Sequence, residues 1–190
     1  MKNNNTFKEY VAPILVLVVI CLVVTAALAA VYGVANPIIQ ENDKKTADAN
    51  RTELLAEADS FTAYDGELYV AEPDKVYVSE CYVADNGAGA VMTVQSSSFG
   101  GLLTEMVGIN SNGEITGVKV TAHGDTPGLG TKAQTPEHLA QYEGLTSLDS
   151  TSAKDDTQVD YISGATISSN AVHYGVYCAL QQFQQMGGVQ

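Results

Sequence analysis

Polar and apolar positions divide this chain into an uninterrupted hydrophobic run, an acidic helix-spaced segment, a series of alternating strands and a final amphipathic helix. No charged residue falls between Tyr10 and Gln40, and Val11 to Ala35 is almost wholly apolar. At helical rise this stretch covers roughly 37 Å, enough to cross a bilayer with some tilt. The run is about twice as long as the 7–15-residue core of a secretory signal. A retained membrane span is therefore expected, although Ala27-Leu28-Ala29 offers a small-x-small cleavage pattern. Asn36-Pro37 is expected to close the span, since proline removes a helix donor and crowds the preceding turn. From Ile38 to about Ser60, apolar Ile39, Ala47, Leu54, Leu55 and Ala58 recur among Ala, Glu, Asp and Lys, which predicts a connecting helix.

Beyond residue 60 the pattern changes to strands. Glu67–Ala71 and Lys75–Ser79 are rich in Tyr and Val and are separated by the turn signal Glu72-Pro73-Asp74. Cys81–Val83 continues the second run, Asp85–Gly89 breaks it, and Val91–Gln95 resumes it. Leu102–Ile109 and Ile115–Thr121 flank Asn112-Gly113, a strong hairpin signal. The Pro127-Gly128 pair fits the centre of a type II turn, where Gly supplies a positive φ, and Gly130 keeps the backbone bare two residues later. Ala133–Tyr142 is predicted as a short helix with Thr135 as N-cap and Pro136 at its first position. Thr146–Thr157 is loop-like, and Asp160–Ile162 are expected to end a short strand. After Thr166, Val172, Val176, Ala179, Leu180 and Phe183 mark the buried face of a last helix. The fold class is α+β: a single N-terminal transmembrane helix followed by a domain built on antiparallel hairpins.

Charge narrows the partners. Of 9 Lys+Arg, Lys2 and Lys8 precede the span and leave 7 beyond it; of 22 Asp+Glu, Glu9 precedes it and leaves 21. A domain at about −14 is a poor partner for nucleic acid or anionic lipid. Lys44, Lys45 and Arg51 follow the span, so the positive-inside count is nearly even. The shortness of the leading tail favours a cytoplasmic tail at 1–10, a span at 11–36, a connecting helix at 37–60 and an extracytoplasmic domain at 61–190. Cys21 lies in the span, and Cys81 and Cys178 are compatible with one disulfide or with two buried thiols. His123, His138 and His173 are scattered and show no metal-site spacing; neither a phosphate-binding Walker loop nor a nucleophile elbow is present.

The chemistry concentrates near the C-terminus. Ser163 and Gly164 make a tight turn, and Thr166, Ser168 and Ser169 crowd the start of the last helix. A helix start carries unpaired N–H groups and the positive end of the macrodipole, so it suits an anion, and these residues suggest a phosphate. Taken alone, helix capping demands the same residue types.

Ser163-Gly164-Ala165-Thr166-Ile167-Ser168-Ser169 resembles the covalent flavinylation motif of the FMN-binding domain family. Phe99-Gly100-Gly101, the hairpin from Val107-Gly108-Ile109 to Gly113-Glu114-Ile115-Thr116-Gly117-Val118, and Thr126-Pro127-Gly128-Leu129-Gly130-Thr131-Lys132 match it in order and spacing. The resemblance is motif-dense from 98 to 186 and covers 1–97 as general layout, so the FMN-binding part is expected at 98–190. Within the family the chain is most similar to the G subunit of Rnf-type complexes, and it is related to the C subunit of sodium-translocating NADH:quinone reductase. Asp125 stands where the family often has Glu, and Phe99 where Tyr is frequent.

The resemblance implies FMN attached to Thr166 through a phosphoester. It implies phosphate support from Ser163, Gly164, Ala165, Ser168 and Ser169, and flavin contacts from Thr126, Gly128, Leu129 and Gly130. No residue is implied as catalytic, because the flavin carries the redox chemistry. The implied role is electron relay in a membrane-bound, ion-translocating ferredoxin:NAD⁺ oxidoreductase. Its implied partners are other membrane subunits and an extracytoplasmic flavin transferase. Two further readings are a subunit of the quinone reductase or a stand-alone flavin carrier, and a flavin-free membrane-anchored binding module.

Overall fold

The computed structural model describes residues 10–188; residues 1–9, most of the expected cytoplasmic tail, lie outside the described residues. Helix α1 runs from Ala12 to Leu54 and carries Pro37 inside it. The expected break at Asn36-Pro37 is thus not observed: the helix continues through the one missing donor. Leu55 N still donates to Arg51 O at 2.9 Å, and the chain turns immediately afterwards, so the expected end near Ser60 moves forward. The apolar part of α1 is long enough to cross a membrane. The chain divides after Ala47 into two units, and the second, from Asp48 onward, holds the sheet.

That unit is built on strands β1 (Phe61–Ala63), β2 (Val70–Glu72), β3 (Val76–Ala84), β4 (Gly89–Ser98), β5 (Gly101–Asn110) and β6 (Ile115–Ala122). They form one sheet in the order β1-β3-β4-β5-β6, with β2 also beside β3, and every pairing is antiparallel. The two runs expected at 75–79 and 81–83 are one strand, because a register shift between Val78 and Glu80 absorbs the break in alternation. Strands β4 and β5 pair from Gly89↔Asn110 to Ser98↔Gly101, which leaves Phe99-Gly100 as the turn.

Alternation along β4 serves two cores. Met92 and Val94 join Leu103, Val107 and Ile109 under the last helix, α3 (Thr166–Gln185), against Val172, Val176, Ala179 and Leu180. Val91 belongs to a second cluster with Met106, Ala84, Leu54 and Leu55. The expected helix at 133–142 is three pieces: 3₁₀ turns at Gly130–Gln134 and Ala140–Tyr142 flank α2 (Pro136–Leu139). Thr135 does cap α2, accepting from His138 N at 3.4 Å. Asp160–Ile162 lie in no strand. The Gln141 side chain replaces a neighbouring strand there, accepting from Asp160 N at 2.7 Å and donating to Asp160 O at 3.2 Å.

Candidate functional site

The start of α3 lacks a side-chain cap. Its N-cap is Ala165, with φ −124 and ψ 38, and the first helical bond runs from Ser169 N to Ala165 O at 2.9 Å. The N–H groups of Thr166, Ile167 and Ser168 therefore have no acceptor within the helix. The preceding turn closes with Ala165 N donating to Ile162 O at 2.9 Å, and Gly164 within it has φ +85, a conformation that side chains disfavour.

The three hydroxyls expected at this helix start take different places. Ser169 is buried and its Oγ accepts from Ile162 N at 3.0 Å, which binds the turn to the helix. Ser168 is also buried, and its hydroxyl lies beside the Asp125 carboxylate at Gly130. Thr166 is half-buried and lines a pocket. Ser163 is exposed on the turn and is not among the lining residues.

The pocket has a volume of about 300 Å³. Gly164, Ala165, Thr166, Ile167 and Ser168 form one wall, and Phe99, Thr126, Leu129 and Gly130 the other. The second wall rests on the expected turn: Leu129 N donates to Thr126 O at 3.2 Å, Gly128 has φ +76, and Gly128 N donates to Thr131 Oγ1 at 2.9 Å. Gly128 shapes this turn and is not itself a lining residue. Gly130 is bare for a packing reason: a Cβ there would stand 2.6 Å from Ser168 Oγ and 2.9 Å from Asp125 Cβ. Its missing side chain admits α3 and Asp125. The rim is apolar and open to solvent, with Phe99 70%, Ile167 56% and Leu129 46% exposed.

Asp125 and Ile167 were not singled out by the sequence as site residues. Asp125 is only 4% exposed and holds the two walls together. Burial pushes its carboxyl upward, but hydrogen bonds from Ser98, Gly100 and Ser168 and the nearby His123 together hold it below the usual value. Its signal in the sequence was its place directly before Thr126. Ile167 falls off the apolar stripe of α3, and its exposure in the first turn is the corresponding sign.

The other buried polar groups lie elsewhere. His173 Nε2 donates to Ser150 O at 2.8 Å, and Nδ1 faces the Tyr142 hydroxyl at 3.4 Å. Burial pulls the His173 imidazole below its ordinary value, against the opposing effects of Ser150 and Asp156. Cys81 and Cys178 are buried free thiols, which decides between the two states open to them.

The FMN-binding domain family matches residues 99–181, the segment that carries both walls. The G subunit of the ion-translocating oxidoreductase complex of Methanosarcina acetivorans is 32% identical over 187 residues, covering 95% of this chain and 98% of that one. The G subunit of the Na⁺-translocating ferredoxin:NAD⁺ oxidoreductase complex of Acetobacterium woodii is 29% identical, covering 90% of each chain. The proton-translocating counterpart from Clostridium ljungdahlii is 25% identical over 90% of each. Among solved structures, Shewanella oneidensis NqrC aligns with 60% of this chain and 68% of its own, at a TM-score of 0.44 and 20% identity. The chain belongs to the family of G subunits of ion-translocating oxidoreductase complexes and contains its FMN-binding domain.

Proposed function

We propose that this protein is the electron-transfer subunit of an Rnf-type ion-translocating ferredoxin:NAD⁺ oxidoreductase and that it carries FMN as a phosphoester on Thr166. Family membership supports the role in the complex. The observation that carries the attachment site is the uncapped start of α3, where the Thr166 hydroxyl meets the pocket beside unpartnered N–H groups.

The residues fit the group. A phosphate needs donors, and the Thr166, Ile167 and Ser168 amides provide them at the positive end of a 20-residue helix. An isoalloxazine is large, flat and largely apolar, and the Phe99, Leu129 and Ile167 rim offers it apolar area. The ester would join the Thr166 hydroxyl oxygen to the flavin-side phosphorus of a flavin dinucleotide held by a transferase; the pyrophosphate bond would break, a nucleoside monophosphate would leave with the hydroxyl proton, and the chain would gain FMN less water. When bound, FMN supplies the electron chemistry; the chain holds the phosphate, covers the ring and sets the surrounding charge. Thr166 acts as an attachment point, with no acid–base part. Ser163, exposed on the turn, and Ser168 and Ser169, both buried, shape the entry for the phosphate.

The chain is anchored in the membrane through α1. We place the short tail before residue 11 in the cytoplasm and the domain outside it, where a loosely bound FMN would be lost and a covalent one retained. The other membrane subunits of the complex and an extracytoplasmic transferase are the partners in this reading.

The test is a mass measurement. Full-length protein coexpressed with a flavin transferase is digested, and the Thr166 peptide is expected to gain the mass of FMN less water. Thr166→Val is expected to remove that mass and all fluorescence comigrating with the denatured chain, while Ser163→Ala keeps some. Wild-type protein without bound flavin would overturn the attachment. For orientation, Ser97→Cys on the exposed end of β4 is expected to react with a membrane-impermeant maleimide in intact cells. Labelling only after lysis would reverse the placement.

A further inference from the structure

Four segments meet around the pocket, and one carboxylate stands in the first, bonds two others and packs beside the fourth. Asp125 precedes the lining residue Thr126. Its Oδ2 accepts from Ser98 Oγ at 2.6 Å and from Gln134 Nε2 at 2.7 Å, and its Oδ1 accepts from Gly100 N at 2.8 Å. The Ser168 hydroxyl packs beside the same carboxylate at Gly130. Ser98 and Gly100 bracket Phe99, Gln134 ends the 3₁₀ turn that starts at Gly130, and Ser168 belongs to the first turn of α3. Every bonded segment therefore contributes a lining residue.

Two consequences follow from the chemistry of these donors. The Gly100 N–H and the Gln134 Nε2 amino group only donate, so each carboxylate oxygen faces a donor and the group is held as an anion. Ser168, the third residue of α3, sets its hydroxyl beside Asp125 and Gly130, and no side chain caps the helix, so the helix-start amides face the pocket without a side chain across them. The charge is nearly excluded from water and sits directly behind Gly130 and Ser168, both of which line the pocket. A buried anion in low dielectric opposes the arrival of further negative charge nearby.

We propose that Asp125 is a positioning residue of the flavin site, joining its walls and lowering the reduction potential of the flavin held there. This rests on the flavin reading above. Replacing Asp125 by a neutral residue of the same shape removes the opposing charge, so the flavin becomes easier to reduce.

The experiment is a spectroelectrochemical titration of full-length flavinylated protein in detergent, comparing wild type, Asp125→Asn and Asp125→Glu. Asp125→Asn is expected to shift the reduction equilibrium about tenfold toward the reduced flavin, which is about 30 mV upward for a two-electron couple. Asp125→Glu keeps the charge and is expected to remain nearer to wild type than Asn does. If Asp125→Asn takes up no flavin, recovery of flavin content in Asp125→Glu supports the positioning role. Failure of both to load, with Ser168→Ala loading and titrating as wild type, overturns it. Equal potentials in wild type and a loaded Asp125→Asn overturn it while leaving the flavin reading intact. A wild-type chain without flavin overturns both, so the two failures are distinguishable.

Discussion

The Arg51 guanidinium lies over the Tyr82 ring, 3.6 Å from its centroid, at the end of α1. Its side chain is buried, with Nη1 2.6 Å from Asp48 and Nη2 3.5 Å from Glu80. Both carboxylates are solvent-exposed, so the ion pairs contribute little and the stack carries the attachment. Lysine keeps the charge but loses the planar face and the fork of donors. Arg51→Lys is expected to lower stability by about 1–2 kcal/mol, read by urea unfolding. A variant indistinguishable from wild type would refute the stacking role.

Glu105 is wholly buried against α3 at Gly175, and neither of its oxygens meets a protein donor. Burial raises its carboxyl well above the usual value. From the ordinary glutamate value up to that raised value, the folded protein keeps a proton that the unfolded chain has released. Stability therefore falls as pH rises through this window, at up to about 1.4 kcal/mol per pH unit. Glu105→Gln cannot titrate, so its stability relative to wild type is expected to improve from pH 4 to pH 8 in chemical denaturation. A difference that stays constant with pH would show that Glu105 titrates normally.

Cys81 and Cys178 provide a reactivity test. Burial pushes both thiols up to about 12, with smaller contributions at Cys178 from Glu105 and Glu72. At pH 8 their thiolate fractions are on the order of a thousandfold below that of a free cysteine. In a Cys21→Ala background, Ellman's reagent is expected to find almost no thiol in the native protein and two per chain in denaturant. Prompt native labelling would contradict this burial.

Gly164 supplies a further test of the pocket wall. Its φ of +85 costs an alanine about 1–2 kcal/mol. Gly164→Ala is therefore expected to lower the melting temperature modestly and to reduce the flavin carried per chain, measured by absorbance after denaturation. Normal loading together with a lowered melting temperature would show that the turn serves stability alone.

How much of this site was legible depended on the range of the interactions involved. The Pro127-Gly128 turn, the Asn112-Gly113 hairpin and the Thr135 cap depend on adjacent residues, so propensity alone located them. Asp160–Ile162 look like a strand by residue type, yet a strand needs a paired neighbour, and here the Gln141 side chain takes Asp160 while Ser169 and the turn to Ala165 take Ile162. Pro37 is likewise a local signal that its surroundings override.

Sequence by itself determined the apolar span, the run of antiparallel hairpins, the amphipathic last helix and the Ser163–Ser169 motif, because each is written in neighbouring or regularly spaced residues. Only the tertiary structure decided what each hydroxyl near Thr166 does. Ser169 turns to Ile162 and Ser168 to Asp125, and Thr166 is left at the pocket. That division requires Asp125, 43 positions before Ser168 in the chain, to arrive beside the helix start. The sheet and the bare Gly130 bring it there, and no local pattern encodes such a meeting.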